Sequence, residues 1–164
     1  MKSLRPTHPY IRVHGGWKYL YRAIDRDGVL VDVMLSEHRN LAAAKRFFRS
    51  ARAVTGVIPD RVTTDGHDAY PQAIQTELGS RVRHRTNRYL NNRLEQDHRG
   101  IKGRCRPMLG LKSTGSARRY CRGHDELRNF LRCRSRMRQR VPAATRRWQH
   151  MRRAAIALGI LETA

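Results

Sequence analysis

The sequence predicts a mixed α/β fold: a five-stranded sheet flanked by helices, with a basic helical C-terminal extension. Three observations predict it. Period-two runs separated by glycine turns fill residues 10 to 35. The period changes to that of a helix at residue 41. Short β-branched runs then alternate with helical ones as far as residue 102, the signature of a sheet with helices on its faces.

The elements follow in order. "YIRV" (10–13) is a strand, and "HGG" (14–16) is a turn. "WKYLYRAID" (17–25) places Trp17, Tyr19 and Tyr21 on one face. "RDG" (26–28) turns again, and "VLVDVML" (29–35) lines up Val29, Val31, Val33 and Leu35. These three runs form an antiparallel meander. Asn40 caps a helix over 41–54 whose apolar stripe is Leu41, Ala44, Phe48 and Ala51. "GVIPD" breaks it, and "RVTTD" (61–65) is a short strand. A short helix over about 71–78 has Pro71 in its first turn, Asp68 as its cap and Gly79 at its end. "RVRHRT" (81–86) is the fifth strand, and a helix covers about 89–102. Beyond Gly110 the spacing predicts helices over 116–134 and about 143–159, joined by a basic linker. The sequence thus divides into a core over 1–110 and a basic helical extension over 111–164.

Charge narrows the partners. The chain has 164 residues, with 35 Lys+Arg against 13 Asp+Glu, a formal net charge of +22. That far exceeds what solubility needs and attracts polyanions, nucleic acid first among them. Hydrophobic residues make up 39 %, enough for a packed core. Cys105, Cys121 and Cys133 form no CxxC and no metal-ligand spacing, so they read as thiols of a reducing compartment. No apolar run reaches the length of a membrane span and no signal peptide is visible, so the expected location is the cytoplasm.

In so basic a chain the acidic residues are informative. Asp65 ends a strand beside Gly66, where sites collect in α/β sheets; the competing reading is an ordinary turn residue. Asn91, Glu95, His98 and Lys102 are spaced by four, three and four, so they share one helical stripe. Leu90, Leu94 and Ile101 form the neighbouring apolar stripe. Glu95 therefore stands at the edge of a buried face, with surface pairing to Arg99 as the alternative role. Two carboxylates, one after a strand and one on a later helix, are hard oxygen ligands of the kind Mg²⁺ accepts. Two such ions can activate a hydroxyl and stabilise a leaving oxygen on phosphate.

The stretches "WKYLYRAIDRDG", "TTDGHDAYPQAI", "YLNNRLEQDHRGIKGR" and "PMLGLKSTGSA" resemble the DDE transposases of bacterial insertion sequences, nearest to the insertion-sequence-six family. The likeness runs in order from about residue 7 to residue 132, and "NNRLEQDHRGIK" is its most specific block. It implies an RNase H-like catalytic core that uses Mg²⁺ or Mn²⁺ to nick DNA at transposon ends and join the freed 3′-hydroxyl to a target. It implies Asp65 and Glu95 as the second and third catalytic acids and metal ligands, and Lys102 as the basic residue two turns on. Arg93, Arg99 and Arg104 would track DNA phosphates beside it. It also implies a homo-oligomer in the DNA complex and association with the bacterial nucleoid.

Three departures qualify that expectation, the smallest being an Asp65-to-Glu95 interval a few residues shorter than the family's usual spacing. The family's first Asp falls on Thr7, within "RPTHPY", and no acidic residue precedes Asp25. The family's N-terminal helical DNA-binding region has no counterpart ahead of Thr7, as expected of a chain shortened at that end. A hydroxyl does not replace a carboxylate that bridges two cations, so impaired catalysis is the expectation, with a non-catalytic DNA-binding remnant as the alternative. A turn centred near Gly15 would bring Asp25 to the same end of the sheet as Thr7, which makes it a possible substitute ligand.

Overall fold

The computed structural model describes residues 3–7, 9–25, 28–87, 92–107, 110–131 and 142–162; at residues 7, 92–98, 143 and 160–162 it describes the backbone alone. Cys133 and the helical pattern predicted over 132–134 lie outside the described residues.

The meander forms, and it has one more piece than its apolar pattern predicts. Strands β1 (Arg5–Thr7) and β2 (Tyr10–Val13) are successive halves of one interrupted strand. Both pair antiparallel with β3 (Gly16–Ile24) in one unbroken register, Thr7 opposite Arg22 and Tyr10 opposite Tyr19. Strand β4 (Leu30–Ser36) pairs with the other edge of β3. Strands β5 (Arg61–Thr64) and β6 (Arg83–Thr86) run parallel to each other. The two sheets meet where Leu4 pairs with Val62: Leu4 donates to Arg61 O at 2.9 Å and accepts from Thr63 N at 2.8 Å. The strand order across the join is β4, β3, β1/β2, β5, β6. This is the five-stranded mixed sheet expected, with β1 hidden from the sequence by Pro6, which cannot donate to a ladder.

The first hairpin turns on two residues, not three. Val13 pairs with Gly16, and His14 (φ 49°) and Gly15 (φ 76°) both adopt left-handed backbone. Paired left-handed residues match the twist of the flanking strands.

Helix α1 (Leu41–Thr55) begins as expected, with Asn40 Oδ1 accepting from Ala43 N at 2.9 Å. It ends at Gly56 in the left-handed region. Helix α2 (Ala69–Leu78) starts two residues earlier than its pattern predicts. Asp68 holds the capping position without a side-chain bond; Ala69 N donates instead to His67 Nδ1 at 3.2 Å. Both helices cover one face of the sheet, where Leu4, Tyr21, Ala23, Phe47, Phe48, Val62, Tyr70 and Ile74 are buried together. Helices α3 (Asn92–Cys105) and α4 (Thr114–Leu131) cover the other face. There Ile11, Val13, Leu20 and Leu35 meet Ile101, Leu111, Ala117 and Cys121. Tyr21 and Ala23 point to one cluster and Leu20 to the other, the alternation a strand imposes. Helix α5 (Ala143–Glu162) follows, with Trp148 and Met151 exposed.

Candidate active site

The Leu4–Val62 pair fixes what lies at the end of the sheet. Parallel strands advance in step. Thr7, three residues on from Leu4, is therefore level with Asp65, three on from Val62. Adjacent strands lie about 4.8 Å apart, so the two positions are neighbours at one sheet edge. The chain leaves β5 there through Gly66, whose φ is 96°. A Cβ on Gly66 would stand 2.8 Å from Thr86 Cγ2 of β6. Only glycine combines that backbone with that closeness. Below it, Thr64 Oγ1 is 2.8 Å from His84 Nε2, and Asn87 N donates to Thr64 O at 3.0 Å.

Asp65 is partly exposed and faces a cation. Arg39, from the loop between β4 and α1, brings Nη2 to 3.7 Å from Asp65 Oδ2. His67, Tyr21 and Tyr70 lie within electrostatic reach of the same two charges. Burial holds His67 below the usual histidine range, and the Arg39 guanidinium pushes the same way. Burial lifts the Tyr21 hydroxyl to about 12, and Tyr70 also rises well above the ordinary tyrosine value. Both phenols are therefore neutral at physiological pH. Nothing in the sequence announces Arg39, because it meets Asp65 from a separate loop.

Glu95 lies on helix α3, and its side chain is outside the described atoms, as is that of Arg93. The helix is docked by Ile101, 1 % exposed, against Ile11, Val13 and Leu20. Lys102, Arg99 and Arg104 are exposed. Lys102 follows Glu95 by two helical turns and shares its stripe. Among the described residues no cluster of three His, Cys, Asp or Glu side chains stands ready for a metal ion.

Asp25 is not where the sequence reading put it. The tight two-residue turn sets Thr7 opposite Arg22 and Arg5 opposite Ile24. Asp25 therefore falls level with Leu4, about 10 Å along the strand from Thr7 at 3.3 Å per residue. Its Oδ1 accepts from Val29 N at 2.8 Å, closing the second hairpin.

A family model described as a DDE domain matches residues 2–134. The chain belongs to the DDE family of insertion-sequence transposases. The transposase for insertion sequence-like element IS431mec of Staphylococcus aureus is 37 % identical over 104 residues, which are 61 % of this chain and 46 % of that protein. The DDE chain thus spans about half the length of the curated relatives it matches. Two solved structures share its fold. The integrase catalytic core domain of HTLV-2, in complex with magnesium, aligns with a TM-score of 0.52 at 15 % identity, covering 66 % of the DDE chain and 72 % of its own. A simian T-cell lymphotropic virus intasome in complex with the PP2A regulatory subunit B56 gamma aligns with a TM-score of 0.57 at 14 % identity, covering 91 % of the DDE chain and 54 % of its own. The fold is therefore the RNase H-like core that the resemblance implied. No helix among the described residues of the DDE chain is long and apolar enough to cross a membrane.

Proposed function

We propose that the chain is the catalytic domain of an insertion-sequence transposase, acting on DNA ends as a homo-oligomer, with its own cleavage and strand transfer impaired by Thr7. The observation that carries this reading is the level placement of Thr7 and Asp65 at one sheet edge. That edge has the form of a two-acid site with one acid replaced by a hydroxyl.

Asp65 and Glu95 would hold Mg²⁺ or Mn²⁺, since carboxylate oxygens are the ligands these ions prefer. Such an ion, when bound, offsets charge on the phosphoryl oxygens and makes an attacking hydroxyl more acidic. Asp65 has Arg39 as its counter-charge at 3.7 Å, and that guanidinium competes with a cation for the carboxylate. Lys102, with Arg93, Arg99 and Arg104, would grip the phosphates along α3. The second reading, DNA binding without catalysis, draws support from the same Arg39 contact and from the neutral Thr7.

The test is metal-dependent nicking and strand transfer on transposon-end DNA by the chain as it stands, by T7D, and by T7D carrying E95A or D65N. We expect weak or absent activity from the chain, a gain of at least about a hundredfold in T7D, and its loss in both double variants; one oxyanion-type contact is itself worth 10²–10³-fold. An inactive T7D that still binds DNA supports the second reading and overturns the first.

A further inference from the structure

Strand β2 pairs with β3 on one side, while its other side opens, among the described residues, onto a groove of about 710 Å³. The groove runs between β2, the end of α3 and residues 110–112, where Val13 and His14 meet Leu111. Its base is apolar, with Ile11 and Leu111 buried. Its rim is basic: Arg12, Lys102, Arg106 and Lys112 line it, and among the described side chains no acidic one does. Trp17 also lines it, 66 % exposed, beside Tyr10 at 44 %. An indole so open has no packing role to account for it.

Position adds to composition. Because β1 and β2 are halves of one strand, the groove begins three residues beyond Thr7, about 10 Å from it along the strand. It therefore leads directly away from the Thr7–Asp65 edge toward Lys102.

We propose that this groove holds unpaired nucleotides of a DNA strand leaving the catalytic edge, with a base stacked on Trp17 and the phosphates on Lys102, Arg106 and Arg12. The inference rests on the DNA-processing reading and adds to it the form of DNA held there. A duplex presents phosphates but hides its base faces, and it needs no indole. A single strand offers both, and aromatic surfaces in basic grooves bind single strands through stacking and charge together.

The chain has two tryptophans, so W148F leaves Trp17 as the sole indole reporter. In that background, fluorescence is followed while an eight-nucleotide oligothymidylate, or a duplex of equal length, is added in the presence of EDTA. The single strand is expected to quench Trp17 and the duplex to quench it far less. Anisotropy with labelled DNA is then run on W17A and W17F. W17A is expected to weaken single-strand binding about tenfold and duplex binding less than twofold. W17F, which keeps an aromatic face, is expected to retain most of the single-strand affinity, and circular dichroism checks that both variants fold. Equal weakening of both DNA forms by W17A, or no quenching by the single strand, overturns the proposal. So does quenching that depends on protein concentration without DNA, since it would mean a second copy fills the groove. The EDTA keeps this result apart from the activity test: quenching can persist where strand transfer fails, and the reverse.

Discussion

Arg22 and Asp125, both fully buried, are joined by two side-chain hydrogen bonds across 103 residues of chain. The arginine stands on β3 opposite Thr7, and the aspartate on α4. The pair ties α4, on the second face of the sheet, to the strand that neighbours Thr7. Removing one partner strands a buried charge, which costs about 3–5 kcal/mol, whereas replacing both with apolar residues of similar size is often neutral. D125A and R22A are each expected to lower the denaturation midpoint severely. The double variant R22M/D125L is expected to recover more than half of the loss in urea unfolding. A double variant no better than either single one contradicts this account.

Asp25 closes the second hairpin, three residues along the sheet from the level of Thr7. D25N keeps an oxygen for Val29 N and is expected to leave stability unchanged. It is also expected to leave the metal-dependent activity of T7D intact. D25A loses the bond, at a cost of about 1 kcal/mol, again without touching activity. Loss of strand transfer in D25N at unchanged melting temperature would restore Asp25 as a ligand.

Histidine sets the pH response near neutrality. Burial holds His67 and His84 below the ordinary histidine value. The unfolded chain therefore takes up these protons first. Their contribution to stability is complete above about pH 6.5 and falls as pH drops through it toward the folded values. Exposed carboxylates such as Glu37, whose value Lys18 lowers, act only in a more acid range. Melting curves are expected to shift downward between about pH 7 and pH 5.5. H84Q is expected to flatten that slope, and a slope unchanged in H84Q and H67Q together contradicts the assignment.

Gly66 is the hinge of the site. Its φ of 96° and the 2.8 Å approach to Thr86 Cγ2 leave no room for a side chain. G66A is expected to cost about 1–3 kcal/mol and to displace Asp65. Unfolding and DNA nicking, both measured in the T7D background, should fall together; a G66A variant with wild-type stability would show that the turn relaxes freely.

Much of this was written in local pattern. Strands β3 and β4 and the Asn40 cap follow from period and residue type, and they formed where expected. Strand β1 was hidden because it is only three residues long and has Pro6 at its centre, too short a run for alternation to show. Asp25 was misjudged because one residue more or less in a turn shifts the level of every strand position beyond it. Of the candidate site, Asp65 and Glu95 stand out in the sequence as acids in a basic chain, and Lys102 by its place on the Glu95 stripe. Arg39 and the groove beside Trp17 were not, because contacts between separate loops leave no trace in spacing.

The two apolar faces become complete at different times. The face under α1 and α2 draws its buried residues from Leu4 to Val82, whereas the other also needs Ile101 to Cys121. As the chain leaves the ribosome, the first layer has all its parts while Ile11, Val13, Leu20 and Leu35 still face water. Domains assemble as their segments emerge, and bare apolar sheet is adhesive. The strand bearing Thr7 is thus held from one side first. Helices α3 and α4 complete the other face with Ile101, Ala117 and Cys121, and hydrogen exchange is expected to be less protected in α3 than in α1.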